Sequence, residues 1–127
     1  MPNEFYDLVP KDPKANLAFR KELIQMGATD KKAAEELYIM CSRDILFYIN
    51  AFCWTYDPRV GDGTLPFLTY DFQNTALMEM EDAIGQRDIV IKKSRDMGAS
   101  WMLLTVFEWR WHFRNSQSFL LVSRNED

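Results

Sequence analysis

Two short apolar runs flank a long apolar helix in the last third of the chain, and this arrangement constrains the fold more than any other feature. Residues 88–92 and 118–123 are continuous apolar or β-branched runs that are too short for helices but suited to buried parallel strands. Between them, residues 98–114 carry apolar side chains at helical spacing over a wide surface. Strand, helix and strand in this order predict a βαβ unit with a right-handed crossover, and therefore an α/β fold.

The first part of the chain is predicted to be helical. Asp12, followed by a proline, is a typical N-cap, and Gly27 ends the apolar pattern of this first helix. Thr29 or Asp30 can cap a second and longer helix, in which apolar residues recur at helical spacing as far as Phe52. These two helices would form a helical lead-in ahead of the βαβ unit.

A loop and a third helix connect these two parts. Residues 56–66 are rich in proline, glycine and aspartate and show no periodicity, which favours a loop. Residues 70–84 have a helical period, and Gly85 is the expected end of that helix. We therefore divide the chain into a helical lead-in, residues 1–65, and an α/β part, residues 66–127.

Length and composition limit what such a chain can do. Its 127 residues, 47% of them hydrophobic, suffice for one folded domain but not for two catalytic domains. The net charge of −4 excludes a global positive field that would attract nucleic acid or anionic lipid. No apolar run reaches the roughly 20 residues of a membrane span, and the first residues lack a signal-peptide pattern, so we expect a cytoplasmic protein without a membrane partner. Cys41 and Cys53 are expected to be buried thiols.

The segment between the first predicted strand and the following helix occupies the position at which phosphate-binding loops occur. Compared with the pattern G-x-x-x-x-G-K-[ST], Gly98 matches the second glycine and Ser100 the magnesium-binding hydroxyl. Lys93 stands at the first glycine and Ala99 at the lysine. A lysine at the first position can reach across the phosphates and supply the same charge, and Arg95 adds a planar donor suited to phosphate oxygens. The alternative is that these basic residues only improve solubility at a strand end.

The segments around this loop follow an order that one protein family shares. Residues 66–73 place aromatic side chains before a glutamine, and residues 119–126 supply a strand and a turn after the helix. Residues 43–59 form a helical lead-in. Together with the loop at residues 93–100, these segments resemble the N-terminal ATPase region of the large terminase subunit of tailed double-stranded DNA phages, with a deviant Walker A motif whose lysine stands at its start.

The resemblance implies a nucleotide site with separate roles for its residues. Tyr70 would stack on the adenine of ATP, and Gln73 would hydrogen bond to the edge of that base. Lys93 would neutralise charge on the β- and γ-phosphates, Arg95 would link the nucleotide state to movement, and Ser100 would bind Mg²⁺. The loop residues that would hold the phosphates are Ser94, Arg95, Asp96, Met97, Gly98 and Ala99.

The resemblance also implies a function: ATP hydrolysis that drives DNA into a procapsid in the host cytoplasm, with double-stranded DNA, the small terminase subunit and the portal protein as partners. The family's Walker B carboxylates and nuclease domain have no counterpart here, so we expect the lead-in and first βαβ unit of an ASCE-type P-loop NTPase domain, with an incomplete sheet and without ATP hydrolysis by this chain alone. Because a two-stranded sheet exposes its edges, we also expect self-association. The alternative is a truncated, non-enzymatic interaction module or prophage remnant with a structural βαβ unit.

Overall fold

The computed structural model describes residues 4–57, 59, 61–92 and 99–122. This part of the chain contains five α-helices, a short 3₁₀ helix and a two-stranded antiparallel sheet, so the fold is mixed α/β. No helix in it is long and apolar enough to cross a membrane. In chain order the elements are the 3₁₀ helix Tyr6–Leu8, α1 Pro13–Thr29, α2 Lys31–Arg43, α3 Ile45–Phe52, β1 Trp54–Tyr56, β2 Thr64–Pro66, α4 Asp71–Ala83 and α5 Ala99–Phe113.

The starts of α1 and α2 follow from local capping. The Asp12 carboxylate accepts a hydrogen bond of 3.1 Å from the backbone N–H of Ala15, as predicted from the sequence. Asp30 accepts in the same way from the backbone N–H of Lys32 at 3.0 Å, which decides between the two candidate caps of α2. Each cap satisfies a backbone donor that has no partner within its helix.

The single long helix predicted after residue 30 is wrong, because Asp44 divides it into α2 and α3. Asp44 has an extended backbone and is the N-cap of α3, with its carboxylate accepting from the N–H of Phe47 at 3.0 Å. The same fully buried carboxylate accepts from the N–H groups of Phe5 and Tyr6, at 2.9 and 2.8 Å. Asp44 therefore ends α2, begins α3 and binds the backbone of Phe5 and Tyr6.

The loop predicted over residues 56–66 is in part a β-hairpin. Strands β1 and β2 pair antiparallel, with Thr55 opposite Leu65 and Tyr56 opposite Thr64. In the turn, Gly63 has φ of +93°, and a Cβ atom built at this position would overlap ring carbons of Tyr56. The composition of this segment predicts a turn, but strands of three residues are too short to show the alternation of apolar and polar side chains that predicts a strand.

The main hydrophobic core joins the helical first part to α4 and α5. The Trp109 indole N–H also donates a hydrogen bond of 2.8 Å to the carbonyl oxygen of Cys41. As expected, Cys41 is buried, whereas Cys53 is half-buried. The predicted boundary between residues 65 and 66 falls within β2, and the core contains side chains from both sides of it. The buried members of this core are Ile45, Leu46, Ile49, Phe67, Leu77, Met80, Met102, Val106 and Trp109.

The two predicted strands that flank α5 are not confirmed. Residues 88–92 and 118–122 belong to no strand, and Ser123 lies outside the described residues. Val90 is 94% exposed and Leu120 is 84% exposed. A strand forms only when a neighbouring strand accepts and donates its backbone hydrogen bonds, and the sheet present in the described part consists of β1 and β2 alone. The apolar composition of the two runs was therefore not sufficient to predict strands.

Candidate functional site

A cavity of about 450 Å³ lies where the hairpin, the segment before α4 and the first turn of α5 meet. Tyr56 and Leu65 of the hairpin contribute to its lining, together with Tyr70 and Gln73 at the start of α4 and Trp101 of α5. Its volume is within the range of small-molecule sites, roughly 300 to 1,000 Å³. Apolar and aromatic walls with a few polar groups are typical of sites for planar organic ligands.

The start of α4 fixes the orientation of Gln73. The Oε1 atom of this side chain accepts a hydrogen bond of 3.0 Å from the backbone N–H of Tyr70, so the amide returns to the N-cap residue of its own helix. Gln73 is buried, while the ring of Tyr70 is 67% exposed and stacks on Phe72 with 5.8 Å between the ring centroids. The structure therefore brings the two predicted base-binding residues to one cavity, with the amide held and the phenol ring accessible.

A buried polar network holds the turn that precedes α4. The backbone N–H of Thr69 donates to Asn50 Oδ1 at 2.9 Å, and the Thr69 hydroxyl donates to the side chain of Asn74. Asn74 in turn donates to the Tyr6 hydroxyl at 3.0 Å, and Lys11 Nζ donates to the same hydroxyl and to the Thr69 carbonyl. Burial opposes ionisation of Tyr6, but the hydrogen bonds from Lys11 and its neighbours outweigh it and lower the pKa of this phenol. The residue before Tyr70 is thus fixed from several sides.

The structure describes the end of the predicted phosphate loop but not its centre. Ala99 is the first residue of α5 and packs against the main core, and Ser100 is exposed in the first turn of the same helix. Trp101, the next residue, reaches the cavity that contains Tyr70 and Gln73. The other predicted loop residues lie outside the described residues; they are Lys93, Ser94, Arg95, Asp96, Met97 and Gly98.

The described residues fit a nucleotide base better than they fit a metal held by protein side chains alone. The cavity has aromatic rings and one amide, which suit the faces and the edge of a purine. Within the described ranges, no group of three or more histidine, cysteine or acidic side chains is placed to hold a metal ion. Mg²⁺ in nucleotide sites is held by few protein ligands together with phosphate oxygens, so the exposed Ser100 hydroxyl is the described group that could serve.

Sequence reasoning did not predict that Tyr56, Asp57 and Trp101 belong to this cavity. Tyr56 and Asp57 fall in the segment predicted as a loop, and Trp101 follows the predicted phosphate loop without a predicted role, whereas all three line the cavity. Asp57 accepts from Arg59 Nε at 2.9 Å and from its Nη2 at 3.0 Å, and these bonds hold the pKa of the carboxyl below its usual value. The dense turn residues between two short aromatic and β-branched segments were the signal that could have predicted the hairpin.

No protein-family model, curated protein or solved structure matches this chain. The function proposed below is therefore supported by the geometry of the cavity and by the sequence resemblance.

Proposed function

We propose that this chain is the N-terminal portion of a phage DNA-packaging terminase large subunit, which binds ATP with Mg²⁺ to power DNA translocation into the procapsid. One observation carries the proposal. Tyr70 and Gln73, from the segment that resembles an adenine motif, line the same cavity as Trp101, which directly follows the Walker-like loop at residues 93–100. Trp101 belongs to the first turn of α5, and the backbone N–H groups at the start of a helix favour anions such as phosphate.

The packing around α5 supports the fold that this proposal requires. The ring of Phe107 stacks on Phe119, with 4.4 Å between centroids and 15° between planes. Phe107 also lines a second cavity of about 450 Å³ together with Ile89 and Ile91. The segment after α5 therefore packs on this helix and the segment before α5 lines a cavity beside it, which is the order of packing that a βαβ unit requires.

In this proposal the charged loop supplies the phosphate contacts. Lys93 neutralises the β- and γ-phosphates, Arg95 links nucleotide state to movement, and Ser100 binds Mg²⁺. Phosphoryl transfer depends mainly on positioning and electrostatics, so these roles need no covalent chemistry from the chain. The partners are double-stranded DNA, the small terminase subunit and the portal protein, and the site of action is the cytoplasm of the infected cell.

Calorimetry with a non-hydrolysable ATP analogue and Mg²⁺ tests the proposal. We expect Lys93→Ala to weaken binding by at least about tenfold, since one charge-assisted contact to phosphate is lost. Lys92→Ala, which removes the neighbouring exposed lysine, is the control and should leave affinity unchanged. Circular dichroism establishes that all three proteins are folded. Absence of binding by the unmodified chain, or equal losses in both variants, would overturn the proposal.

The second candidate function is a non-enzymatic interaction module. It is favoured by Val90, Leu120 and Val122, which are each more than four-fifths exposed although they are apolar. In this candidate the segments that flank α5 bind a protein, and the cavity has no ligand. The calorimetric experiment separates the two candidates, because only the first requires nucleotide binding that depends on Lys93.

A further inference from the structure

The position of Tyr56 is set by a residue without a side chain. Tyr56 and Gly63 lie in the same hairpin, and the ring of Tyr56 occupies the space in which a Cβ of residue 63 would stand. Gly63 also has φ of +93°, a region that residues with side chains rarely adopt. The ring therefore rests on the backbone of the turn at Gly63, where it lines the cavity and remains 58% exposed.

Trp101 contributes a second accessible ring to the same cavity. It is 43% exposed, in contrast to Trp109 of the same helix, which is 3% exposed and belongs to the core. Large aromatic rings that stay accessible inside a cavity offer flat apolar surface to a ligand at low cost in side-chain entropy. The held amide of Gln73 adds a polar group to this aromatic lining.

We propose that Tyr56 and Trp101 are the residues that select for a base: they stack on the planar heteroaromatic ring of a bound nucleotide, and Gly63 positions Tyr56 for this contact. The proposal rests on the proposed function and deepens it, because it adds two rings of the same cavity to the base contacts of Tyr70 and Gln73. Stacking of one base on one aromatic side chain contributes roughly 1 to 3 kcal/mol, which corresponds to about 5-fold to about 150-fold in affinity.

The experiment compares two ligands that differ in the base. The full chain is titrated with a non-hydrolysable ATP analogue and, separately, with inorganic tripolyphosphate, both with Mg²⁺. We expect the analogue to bind at least about tenfold more tightly than tripolyphosphate. Trp101→Ala should remove most of this preference and leave the affinity for tripolyphosphate unchanged. Trp101→Phe, which retains a ring, should retain most of the preference.

Gly63→Ala tests the positioning role, and Gly61→Ala is its matched control. Both glycines lie in the hairpin turn with positive φ, but a Cβ at Gly61 would meet nothing within 4 Å. Gly63→Ala should therefore lower the affinity for the ATP analogue but not the affinity for tripolyphosphate. Gly61→Ala should change neither of these affinities. Circular dichroism and urea unfolding identify the folded variants, and Tyr56→Ala replaces Gly63→Ala if the latter does not fold.

The outcomes separate this inference from the function on which it rests. Equal affinity of the unmodified chain for both ligands would overturn the base-selecting role and leave the phosphate site standing. Binding of neither ligand would overturn the proposed function and this inference with it. Equal losses in Gly61→Ala and Gly63→Ala would overturn the positioning role of Gly63, because a strained turn alone would then explain the effect.

Discussion

The Nη2 atom of Arg20 donates a hydrogen bond of 2.9 Å to the carbonyl oxygen of Asn50, near the end of α3. Its Nη1 atom donates to the carbonyl of Cys53 at 2.7 Å, and its guanidinium lies 4.7 Å from the ring centroid of Trp54. Arg20 is 2% exposed, and burial lowers its pKa to about 10. One side chain of α1 thus donates to two carbonyl groups at the end of α3, which also accept from Asn16 and Phe67, and joins α1 to the hairpin.

Replacement of this arginine should destabilise the fold. Arg20→Met keeps an apolar stem of similar length but leaves the buried carbonyls of Asn50 and Cys53 without this donor. We expect the free energy of unfolding to fall by about 3 kcal/mol, measured by urea titration. Lys21→Met, at the adjacent exposed position, is the control and should change stability little. A loss in Arg20→Met no greater than in the control would contradict the capping role.

Asp44 should matter more than an ordinary helix cap. Asp44→Ala removes one cap bond and the two bonds to Phe5 and Tyr6, so we expect a loss of about 3 kcal/mol in the free energy of unfolding. Asp30→Ala removes the exposed cap of α2 and should cost about 1 kcal/mol. Similar losses in the two variants would show that the hydrogen bonds from Phe5 and Tyr6 contribute nothing to the free energy of unfolding.

The buried carboxyl of Asp44 should also make the free energy of unfolding depend on pH. Burial raises the pKa of Asp44 above its usual 3.8, against the opposing effect of the N–H donors led by Phe47. The folded state therefore binds the carboxyl proton of Asp44 more tightly than the unfolded state does. Protonation stabilises the fold below pH 3.8, and this stabilisation is lost as pH rises through the folded pKa. Relative to Asp44→Asn, the unmodified chain should lose stability as pH rises from about 3 to 7. A difference that stays constant or grows with pH would contradict this prediction.

Both cysteines should be unreactive in the folded protein. Burial raises the pKa of the thiols of Cys41 and Cys53 to about 12, so the nucleophilic thiolate is scarce at neutral pH. We expect neither thiol to react rapidly with Ellman's reagent at about pH 8, and both to react once denaturant is added. Rapid release of one equivalent of chromophore without denaturant would show that the half-buried Cys53 is accessible.

The exposed apolar residues beside α5 should promote self-association. Val90 is 94% exposed in a segment that belongs to no strand of the described part of the chain, and such an apolar segment can pair between copies. We expect sedimentation velocity to show mass increasing with concentration, and Val90→Lys to reduce the effect. Leu8→Lys, at another exposed apolar position, is the control and should leave association unchanged. A monomer at every concentration would contradict the prediction.

The parts of the fold that depend on residues close together in the sequence could be predicted. The Asp12 cap and the end of α4 just before Gly85 follow from local backbone chemistry, and both were predicted. The break at Asp44 could not be predicted, because the apolar period continues through it. Its carboxylate is held by Phe5 and Tyr6, which are 39 and 38 residues away in sequence.

The candidate site was predictable to a similar extent. Tyr70 and Gln73 were identified from a short motif, and they do line one cavity. The contribution of Tyr56 was missed because it arises from the pairing of two strands of three residues each and from a ring packed on Gly63. Such contacts depend on tertiary structure, which short-range patterns do not encode.

The core that joins α3 to α4 and α5 has a consequence for synthesis. Ile45 and Ile49 emerge from the ribosome well before Val106 and Trp109, the residues that cover them in the main core. During this interval the face of α3 that carries Ile45 and Ile49 lacks its partners from α5, and exposed apolar faces of this kind are prone to aggregate. The main core can therefore close only after α5 has been synthesised, so the apolar face of α3 depends on a segment that is made more than fifty residues later.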